Sequence, residues 1–529
     1  MTLHGKSLIA GQLGEAGSAT FRAHDPATGT PLEPVFHEAH AAEAARAVDA
    51  AADAFSDYGR LPPEARARFL DTIASEIEAL GDALIERTTR ETGLPDARIV
   101  GERGRTCAQL RLFAATVREG SWVDARIDTA LPERTPAPRP DIRRMLKPIG
   151  PVVVFGASNF PLAFSTAGGD TASAFAAGCP VVVKAHRAHP GAGELVAGAI
   201  ARAAASCGLP PGVFSFVHGG AEIGAALVRH PRTAAVGFTG SHAAGRALFD
   251  IASSRPEPIP VFAEMSSVNP VLVLPGALRE RGAAIAQGLF GSFTLGVGQF
   301  CTKPGLVFVL RGADADAFVE ELARIVREAA GGTMLTAGIL ESFERARGAA
   351  IGVEGVRVIA ASKAPAESGS AAPSIAWTEA ANFLARPSLA NEVFGPFALV
   401  IGCSDTEEML RCLTSLGGQL TATLHANDAD LATARALIDA AERRAGRVIL
   451  NGFPTGVEVC AAMHHGGPYP ATTDVRFTSV GTAAILRFAR PVCYQNFPDD
   501  LLPAELKDAN PYRILRTVNG ELTRDAVTR

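Results

Sequence analysis

From Pro151 onward, short apolar strands alternate with alanine-rich helices, and this alternation leaves few folds open to the chain. Runs of four or five residues rich in Val and Phe predict five strands, at 152–155, 181–184, 213–217, 234–238 and 260–263. Helices are expected between them, two of them near 192–206 and 220–229. Strands that alternate with helices of this length predict a parallel, doubly wound sheet. Such sheets bind ligands beyond the carboxyl ends of their strands.

A second region of the same alternation follows a break near residues 264–269. Four further strands are predicted, at 271–274, 306–310, 398–401 and 447–450. Helices are expected near 279–291, 313–329, 405–416 and 428–444. Upstream of both regions, apolar residues at three- and four-residue intervals predict helices over 38–58 and 62–91. The chain is therefore predicted to contain two α/β domains that join at about residue 263.

Length and composition exclude several classes of protein. At 529 residues the chain exceeds the roughly 250–300 residues at which a single core stops growing. A net charge of −5 argues against a nucleic-acid-binding protein. The eight cysteines include no CxxC pair for zinc or an iron–sulfur cluster. Because the N-terminus lacks a signal peptide's apolar segment and no stretch suits a membrane span, we expect a cytoplasmic protein with free thiols.

The segment FTLGVGQFCTKPG, residues 293–305, places Cys301 after two glycines and an aromatic residue. Its first ten residues carry no charge. Gly296 and Gly298 allow the backbone to come close to a ligand. On these residues alone, Cys301 is either a nucleophile or, like most cysteines, a buried structural thiol.

Other residues at predicted strand ends have similarly open interpretations. Glu264 is either a surface carboxylate or a general base whose pKa burial raises toward working pH. Asn159 is either a turn residue or a donor to an oxyanion. Gly240 and Gly245 in FTGSHAAG would suit a pyrophosphate at a helix N-terminus, although their spacing is neither GxGxxG nor a P-loop.

Six motifs together resemble the aldehyde dehydrogenase superfamily in order and approximate spacing: FGASNFP, VVVKAH, FTGS, FAEMSSVNP, GQFCT and NEVFGP. The resemblance covers nearly the whole chain. The forms KAHRAHPG, GQFCTKPG and HHGGPYPATTD look most like a bacterial NADP-dependent subgroup. That subgroup includes α-ketoglutaric semialdehyde dehydrogenases and is related to fatty-aldehyde dehydrogenases.

The resemblance implies an α/β, aldehyde dehydrogenase-like fold with a Rossmann-like cofactor domain, an α/β catalytic domain and a small oligomerisation arm. The implied boundaries are 1–126 and 149–262 for the cofactor domain, 263–470 for the catalytic domain, and 127–148 and 471–529 for the arm and C-terminal segment. The stretch 129–141 holds four prolines, so it cannot be a helix interior, and it falls where the arm is expected. A homodimer or homotetramer is implied.

Carried over position by position, the resemblance assigns Cys301 as the nucleophile and Glu264 as the base that activates water. Asn159 and the backbone N–H of Cys301 would form the oxyanion hole. Seven positions would contact the cofactor: Lys184, Arg187, Gly240, Ser241, Gly245, Glu392 and Phe394. Lys184 and Arg187 would lie at the adenosine ribose, and the residues of the FTGSHAAG turn at the pyrophosphate. Glu392 would bind the nicotinamide ribose, and Phe394 would pack beside the cofactor.

Arg187 underlies the expectation that NADP is preferred and that NAD is used less well. The strand 181–184 ends where dinucleotide-binding sheets meet the adenosine ribose, and no carboxylate follows until Glu194. Arg187 stands three residues after Lys184, where NAD-linked members of the family carry Glu. Its planar guanidinium suits a 2′-phosphate, unless the side chain simply points to solvent.

The expected reaction is the oxidation of α-ketoglutaric semialdehyde to 2-oxoglutarate through a cysteine thioester. Five phenylalanines are expected to form an apolar substrate wall: Phe160, Phe164, Phe293, Phe300 and Phe453. This wall would also suit medium- or long-chain aldehydes, which are the alternative substrates. Lys303 stands where the subgroup usually has Asn. It is either solvated or bonded to backbone, or it is a cation for a substrate carboxylate.

Other classes of function fit less well. A catalytically inactive homologue would not require Cys301, Glu264 and Asn159 together, and a cysteine hydrolase would leave the cofactor positions unexplained. His464 and His465 lie in a loop rich in Gly and Pro, where turn packing or a pocket wall is expected. With no HExxH motif and no cluster of His and carboxylates, no metal is expected.

Overall fold

A computed structural model describes residues 3–363 and 369–528. The α-helices are α1 (Ala41–Tyr58), α2 (Pro63–Glu78), α3 (Gly81–Thr92), α4 (Asp96–Glu119), α5 (Gly169–Ala177), α6 (Pro190–Ser206), α7 (Ala221–Arg229), α8 (His242–Ser253), α9 (Pro275–Thr294), α10 (Ala313–Glu328), α11 (Ala337–Ile351), α12 (Ala380–Ala385), α13 (Thr406–Ser415), α14 (Asp428–Leu431) and α15 (Arg435–Arg444). Among the described residues, no helix is both long and apolar enough to cross a membrane.

The strands form two seven-stranded sheets, one five-stranded sheet and two short pairs within the described residues. They are β1 (Leu8–Ile9), β2 (Gln12–Leu13), β3 (Thr20–His24), β4 (Pro31–His37), β5 (Arg126–Asp128), β6 (Ile142–Pro148), β7 (Val152–Phe155), β8 (Val181–Lys184), β9 (Phe214–Val217), β10 (Ala235–Thr239), β11 (Val261–Glu264), β12 (Val271–Val273), β13 (Leu306–Leu310), β14 (Gly332–Thr333), β15 (Arg357–Ala361), β16 (Ser370–Ala371), β17 (Ser374–Glu379), β18 (Phe397–Cys403), β19 (Gln419–His425), β20 (Ala445–Leu450), β21 (Ala489–Gln495), β22 (Arg516–Val518) and β23 (Glu521–Thr523).

The first seven-stranded sheet has the order β11-β10-β7-β8-β9-β1-β2. Strands β7 to β11 run parallel, and β1 joins β9 antiparallel. All five predicted strands are confirmed, with ends that shift by at most one residue. Both faces of the sheet are covered: Val152 and Val154 pack into one apolar cluster, whereas Val153 and Phe155 pack into another. Burial on both faces explains why these strands are continuous apolar runs.

The second seven-stranded sheet has the order β15-β17-β18-β13-β12-β19-β20. The four predicted strands correspond to β12, β13, β18 and β20. Three strands, β15, β17 and β19, were not predicted. Strand β19 reads QLTATLH and is buried throughout, although it is half polar. Gln419 accepts from the backbone N–H of Val268, and Thr421 donates to Asn269. An apolar-run criterion cannot detect a strand of this kind.

Two predicted helices are each divided in the structure. The helix predicted over 62–91 is α2 followed by α3, because Gly81 adopts a left-handed conformation with φ of +58° between them. The helix predicted over 428–444 is α14 followed by α15. Helix α4, with 24 residues, was not predicted. It packs against α2 and α5 and lies beside the candidate site.

The five-stranded sheet has the order β21-β6-β5-β22-β23 and unites two distant parts of the chain. The proline-rich stretch 129–141 connects β5 to β6, and Leu131 and Arg139 pair across it. Residues between the second and third sheets return to the first sheet: Phe477 and Phe488 stack on Phe262 at 5.2 and 5.7 Å. This return brings the loop before Phe477 over the carboxyl end of β11.

Candidate active site

Glu264 is the last residue of β11, and its carboxylate is buried at the carboxyl end of the first sheet. The Nε2 atom of His465 lies 2.9 Å from Glu264 Oε1. The hydroxyl of Ser479 donates to Oε2 of the same carboxylate. The backbone N–H of Ser479 also donates to the carbonyl of His465 at 2.8 Å. The returning loop is therefore bonded directly to the end of β11.

Cys301 follows a tight turn in which three consecutive residues have positive φ: Gly296 (57°), Val297 (57°) and Gly298 (68°). A Cβ atom at Gly298 would lie 2.3 Å from the carbonyl carbon of Gly395, so only glycine fits. Positive φ is rare for a β-branched residue such as Val297 and marks backbone held in place by its surroundings. The turn delivers the Cys301 Sγ atom to 3.6 Å from His465 Nε2.

The electrostatics of this cluster differ in part from the prediction. Burial and the neighbouring charge of Glu264 raise the pKa of the Cys301 thiol well above its ordinary value. Burial also acts to raise the pKa of Glu264, but the His465 charge and hydrogen bonds from His465, Ser479 and Cys301 outweigh it. The pKa of Glu264 is therefore held below its ordinary value, in contrast to the rise expected for a carboxylate shifted by burial alone. The carboxylate is ionised at neutral pH without help from a ligand.

Asn159 lies in the turn after β7 and is buried. Its Nδ2 atom donates to the carbonyl of Gln299 at 2.9 Å, two residues before Cys301. An amide nitrogen carries two hydrogens, so this bond leaves one N–H of Asn159 for another acceptor. Gln299 is itself anchored, since it accepts from Leu335 N at 3.0 Å. The structure thus brings Asn159 to the Cys301 turn, as its predicted role requires.

The phenylalanines expected to line the substrate wall separate into two groups. Phe160 packs edge-to-face on Phe164 and Phe300, with centroids 5.2 and 5.1 Å away, and these three flank the Cys301 turn. Phe293 is fully buried in the core of the second sheet. Phe453 packs on His425 at 4.9 Å and against helix α9. Three of the five are therefore together, and the other two support the scaffold.

His465 is the site residue that the sequence did not single out. The sequence places it in turn packing or a pocket wall, whereas the structure puts Nε2 in contact with both Cys301 and Glu264. The donor atoms of the three residues all lie within 4.8 Å of one another. This spacing also suits a tetrahedral zinc ion bound by thiolate, imidazole and carboxylate. His465 lies in the motif HHGGPYPATTD, but that motif gives no sign of its partners, which are 164 and 201 residues away in sequence.

Comparison with known proteins agrees with this geometry. A model of the aldehyde dehydrogenase family matches residues 14–469. The chain belongs to the aldehyde dehydrogenase family. It is similar to α-ketoglutaric semialdehyde dehydrogenase 2 of Azospirillum brasilense, with 54% identity over 98% of this chain and 100% of the relative. It is also similar to α-ketoglutaric semialdehyde dehydrogenase of Acinetobacter baylyi, with 50% identity over 99% of each chain.

The fold matches crystal structures of the family. A betaine aldehyde dehydrogenase variant from Staphylococcus aureus superposes with a TM-score of 0.80 and 19% identity, over 93% of this chain and 96% of that one. The predicted α/β, aldehyde dehydrogenase-like fold is therefore confirmed. The protein is an aldehyde dehydrogenase, an enzyme that oxidises an aldehyde to the corresponding acid with a nicotinamide cofactor.

The N-terminus of helix α8 in this aldehyde dehydrogenase has the features of a phosphate site. Gly240 and Ser241 are exposed there, and the first turn of the helix carries no acidic residue. Ser241 caps the helix by accepting from Ala244 N at 3.3 Å. Gly245 allows close packing, since a Cβ there would lie 2.8 Å from the Met265 sulfur. Exposed N–H groups and a helix dipole of this polarity fit a pyrophosphate.

At the adenosine-ribose position, Lys184 ends β8, and burial lowers its pKa to about 8. Arg187 lies nearby, but it is not unpaired as the sequence suggests. Its guanidinium forms an ion pair with Glu38 and stacks on Phe21 at 5.1 Å. The N-terminal segment thus supplies a carboxylate that the residues following β8 lack.

Glu392 and Phe394 are partly buried on one loop. The backbone of Gly395 in that loop packs against Gly298 of the Cys301 turn. Burial raises the pKa of Glu392, whereas hydrogen bonds from Ser266 and Ser267 and the charge of Lys303 oppose the rise. Lys303 is buried, and its Nζ atom donates to the carbonyl of Phe397 at 2.9 Å. The structure therefore agrees with the backbone-bonded interpretation of Lys303.

Proposed function

We propose that this aldehyde dehydrogenase oxidises α-ketoglutaric semialdehyde to 2-oxoglutarate with NADP⁺, through a thioester on Cys301. The observation that carries the proposal is the convergence of a thiol, an imidazole and an ionised carboxylate at Cys301, His465 and Glu264. The names of the two relatives at 54% and 50% identity support the choice of aldehyde.

The first chemical step requires a thiolate, which the raised pKa of Cys301 does not provide at rest. We assign the Glu264 carboxylate, which accepts a hydrogen bond from the Cys301 thiol, as the acceptor of the thiol proton. The Nε2 atom of His465 faces the ionised carboxylate at 2.9 Å and therefore carries a hydrogen. This N–H, 3.6 Å from Sγ, is able to donate to the sulfur anion that forms.

Addition of sulfur to the aldehyde carbon creates an alkoxide. We assign the free N–H of Asn159 and the backbone N–H of Cys301 as its hydrogen-bond donors. The hydrogen bond from Asn159 to the Gln299 carbonyl fastens the first donor to the turn that carries the second. Glu392 and Phe394 would hold the nicotinamide end of the cofactor, which would supply the hydride acceptor for collapse of this adduct to a thioester.

The remaining thioester must be hydrolysed. Glu264 stays ionised because its pKa is lowered, so its carboxylate is able to accept a proton from water. Ser479 and His465 fix both carboxylate oxygens, which restricts the base to one orientation. The proton taken from Cys301 in the first step is released to solvent before water attacks. The proton from water then passes through Glu264 to the departing Cys301 sulfur, and the carboxylic acid leaves.

The preference for NADP⁺ is also proposed, and Lys184 and Arg187 support it. Both cations lie at the carboxyl end of β8, where the adenosine ribose of a dinucleotide lies. Glu38 holds the Arg187 guanidinium in place, and its carboxylate reduces the net positive charge of this part of the site. We therefore expect a preference for NADP⁺ that is smaller than an unpaired arginine would produce.

Subunit association and location complete the proposal. We infer that residues 127–148 and the C-terminal segment mediate a homodimer or homotetramer, because large apolar side chains are exposed there. They include Leu131, Phe497, Leu501 and Leu522. We place the enzyme in the cytoplasm, since all eight cysteines are free thiols.

A kinetic panel tests the proposed substrate and cofactor. Initial rates at 340 nm are measured for α-ketoglutaric semialdehyde, pentanal and decanal with each dinucleotide. The proposal expects the highest kcat/KM with the semialdehyde and NADP⁺. A higher kcat/KM for decanal would instead identify a fatty-aldehyde dehydrogenase, a candidate that the cluster Phe160, Phe164 and Phe300 keeps open. Absence of cofactor reduction with every aldehyde would contradict the dehydrogenase mechanism in this chain.

A further inference from the structure

Two arginines of helix α4 lie on the phenylalanine cluster beside Cys301. The guanidinium carbon of Arg98 is 4.6 Å from the centroid of Phe160 and 4.9 Å from that of Phe300. The guanidinium carbon of Arg105 is 5.7 Å from Phe160 and 5.4 Å from Phe164. Guanidinium groups placed here would attract a negatively charged group on a substrate bound at Cys301.

The two arginines differ in their partners. Arg98 pairs with the buried Glu102 at 3.4 Å, and Glu102 in turn accepts from the backbone N–H groups of Leu162 and Ala163. Arg98 thus helps to fasten α4 to the segment that follows Asn159. By contrast, Nε and Nη2 of Arg105 are buried and have no hydrogen-bond partner among the described residues. Buried guanidinium N–H groups normally have an acceptor.

The surroundings of Arg105 leave room for such an acceptor. Two carboxylates act on it electrostatically: Glu102, which already has three donors, and Glu458, which is exposed. The charge of Arg105 also reaches the catalytic thiol, where it acts to lower the pKa of Cys301. Arg105 is therefore near enough to Cys301 to act on a small substrate bound there.

We propose that Arg105 binds the far carboxylate of an ω-semialdehyde while its aldehyde carbon meets Cys301. This inference rests on the proposed function and identifies the residue that selects a charged substrate. In α-ketoglutaric semialdehyde the two ends are four C–C bonds apart, about 5 Å when extended. The phenylalanine cluster packs on the methylenes between them, and its rings hold the guanidinium plane so that its N–H edge is available to a carboxylate.

The test compares two aldehydes of equal carbon number, α-ketoglutaric semialdehyde and pentanal. Arg105→Met keeps an unbranched side chain on the rings but removes the charge and the donors. We expect it to lower kcat/KM for the semialdehyde by about ten- to a hundredfold, mostly through KM. We expect pentanal to be oxidised as before. Arg105→Lys should recover part of the loss, because it restores charge without the planar fork.

Arg111→Met is the matched control, since Arg111 lies on the same helix but pairs with exposed Glu78. It should leave both substrates unchanged. Equal loss of both aldehydes in Arg105→Met and Arg105→Gln would show a structural role and overturn the proposal. Unchanged kinetics for both aldehydes would overturn it as well.

A second measurement separates this proposal from the choice of substrate. Glutarate is tested as a competitive inhibitor with pentanal as the substrate. If the wild-type enzyme prefers alkanals, the proposed substrate fails, yet glutarate should still inhibit the wild type about tenfold more strongly than Arg105→Met. Equal inhibition of the two enzymes would remove Arg105 from carboxylate binding.

Discussion

The imidazole of His465 lies 2.9 Å from the carboxylate of Glu264, although 201 residues separate them in the chain. This contact determines the protonation of the candidate active site. Together with hydrogen bonds from Ser479 and Cys301, it outweighs the effect of burial on Glu264, whose pKa would otherwise rise. It also places a proton-carrying nitrogen 3.6 Å from the Cys301 sulfur.

Replacement of Cys301 by Ala should abolish aldehyde oxidation, because no other thiol reaches His465 in the described residues. We expect kcat to fall at least about a thousandfold. Binding of NADP⁺, measured by fluorescence titration, should be nearly unchanged. Cys493→Ala is the control, since Cys493 is exposed on the five-stranded sheet, and it should retain full activity. Activity that survives in Cys301→Ala would refute the thioester mechanism.

His465→Gln should slow acylation, because it removes the imidazole N–H placed 3.6 Å from the Cys301 sulfur and 2.9 Å from the Glu264 carboxylate. A loss of about a hundredfold in the single-turnover rate of cofactor reduction is expected. His464→Gln is the matched control, since the neighbouring side chain makes no described contact with Cys301 or Glu264. If the two variants lost activity equally, disruption of the loop rather than loss of this N–H donor would explain the effect.

The alkylation of Cys301 should depend on pH in a defined direction. The thiolate fraction rises with pH, and the raised pKa of Cys301 means that the rate with iodoacetamide still increases above pH 8. Glu264→Gln removes a nearby negative charge, so the equilibrium pKa of Cys301 falls. Alkylation of the free enzyme at pH 8 should become faster, although the variant lacks the carboxylate proposed to accept the thiol proton during attack on the aldehyde. Glu222→Gln, at an exposed position of α7, should change nothing. A slower rate in Glu264→Gln would mean that Glu264 promotes thiolate formation in the free enzyme.

The ion pair between Arg187 and Glu38 leads to opposite effects of two substitutions. Arg187→Glu should raise KM for NADP⁺ at least about tenfold and leave that for NAD⁺ little changed. Glu38→Gln releases the guanidinium and should lower KM for NADP⁺. Steady-state kinetics with both dinucleotides measure the two effects. Equal changes for NADP⁺ and NAD⁺ would place Arg187 away from the 2′-phosphate.

Zinc should inhibit the enzyme reversibly at the cluster of Cys301, His465 and Glu264. Donors about 2.0–2.3 Å from a tetrahedral zinc ion are roughly 3.3–3.6 Å apart, close to the 3.6 and 2.9 Å separations in the structure. Micromolar Zn²⁺ should block alkylation of Cys301, and a chelator should restore activity. Protection of Cys301 in His465→Gln equal to that in the wild type would exclude the imidazole as a ligand.

The sequence by itself determined the elements that are apolar along their whole length. The first sheet was predicted strand by strand, because burial on both faces requires continuous Val and Phe runs such as 152–155 and 181–184. The family motifs placed Cys301, Glu264 and Asn159, since short segments around each residue define a turn or a strand end. Helix α4 and strand β19 escaped prediction because each buries polar residues among apolar ones, such as Glu102 and Gln109 in the helix and Thr421 in the strand.

Tertiary structure alone decided which of these residues touch. Phe293 and Phe453 are the same residue type as the phenylalanines beside Cys301. Phe293 nevertheless lies in the core of the second sheet and Phe453 packs against that core, which only the tertiary structure shows. His465 and Glu38 acquired their partners because distant loops return to the carboxyl ends of β11 and β8. A local sequence pattern indicates whether a side chain is buried, but not which charged residue of a distant segment contacts it. These contacts depend on the path of the chain. They lower the pKa of Glu264 and pair Arg187 with Glu38.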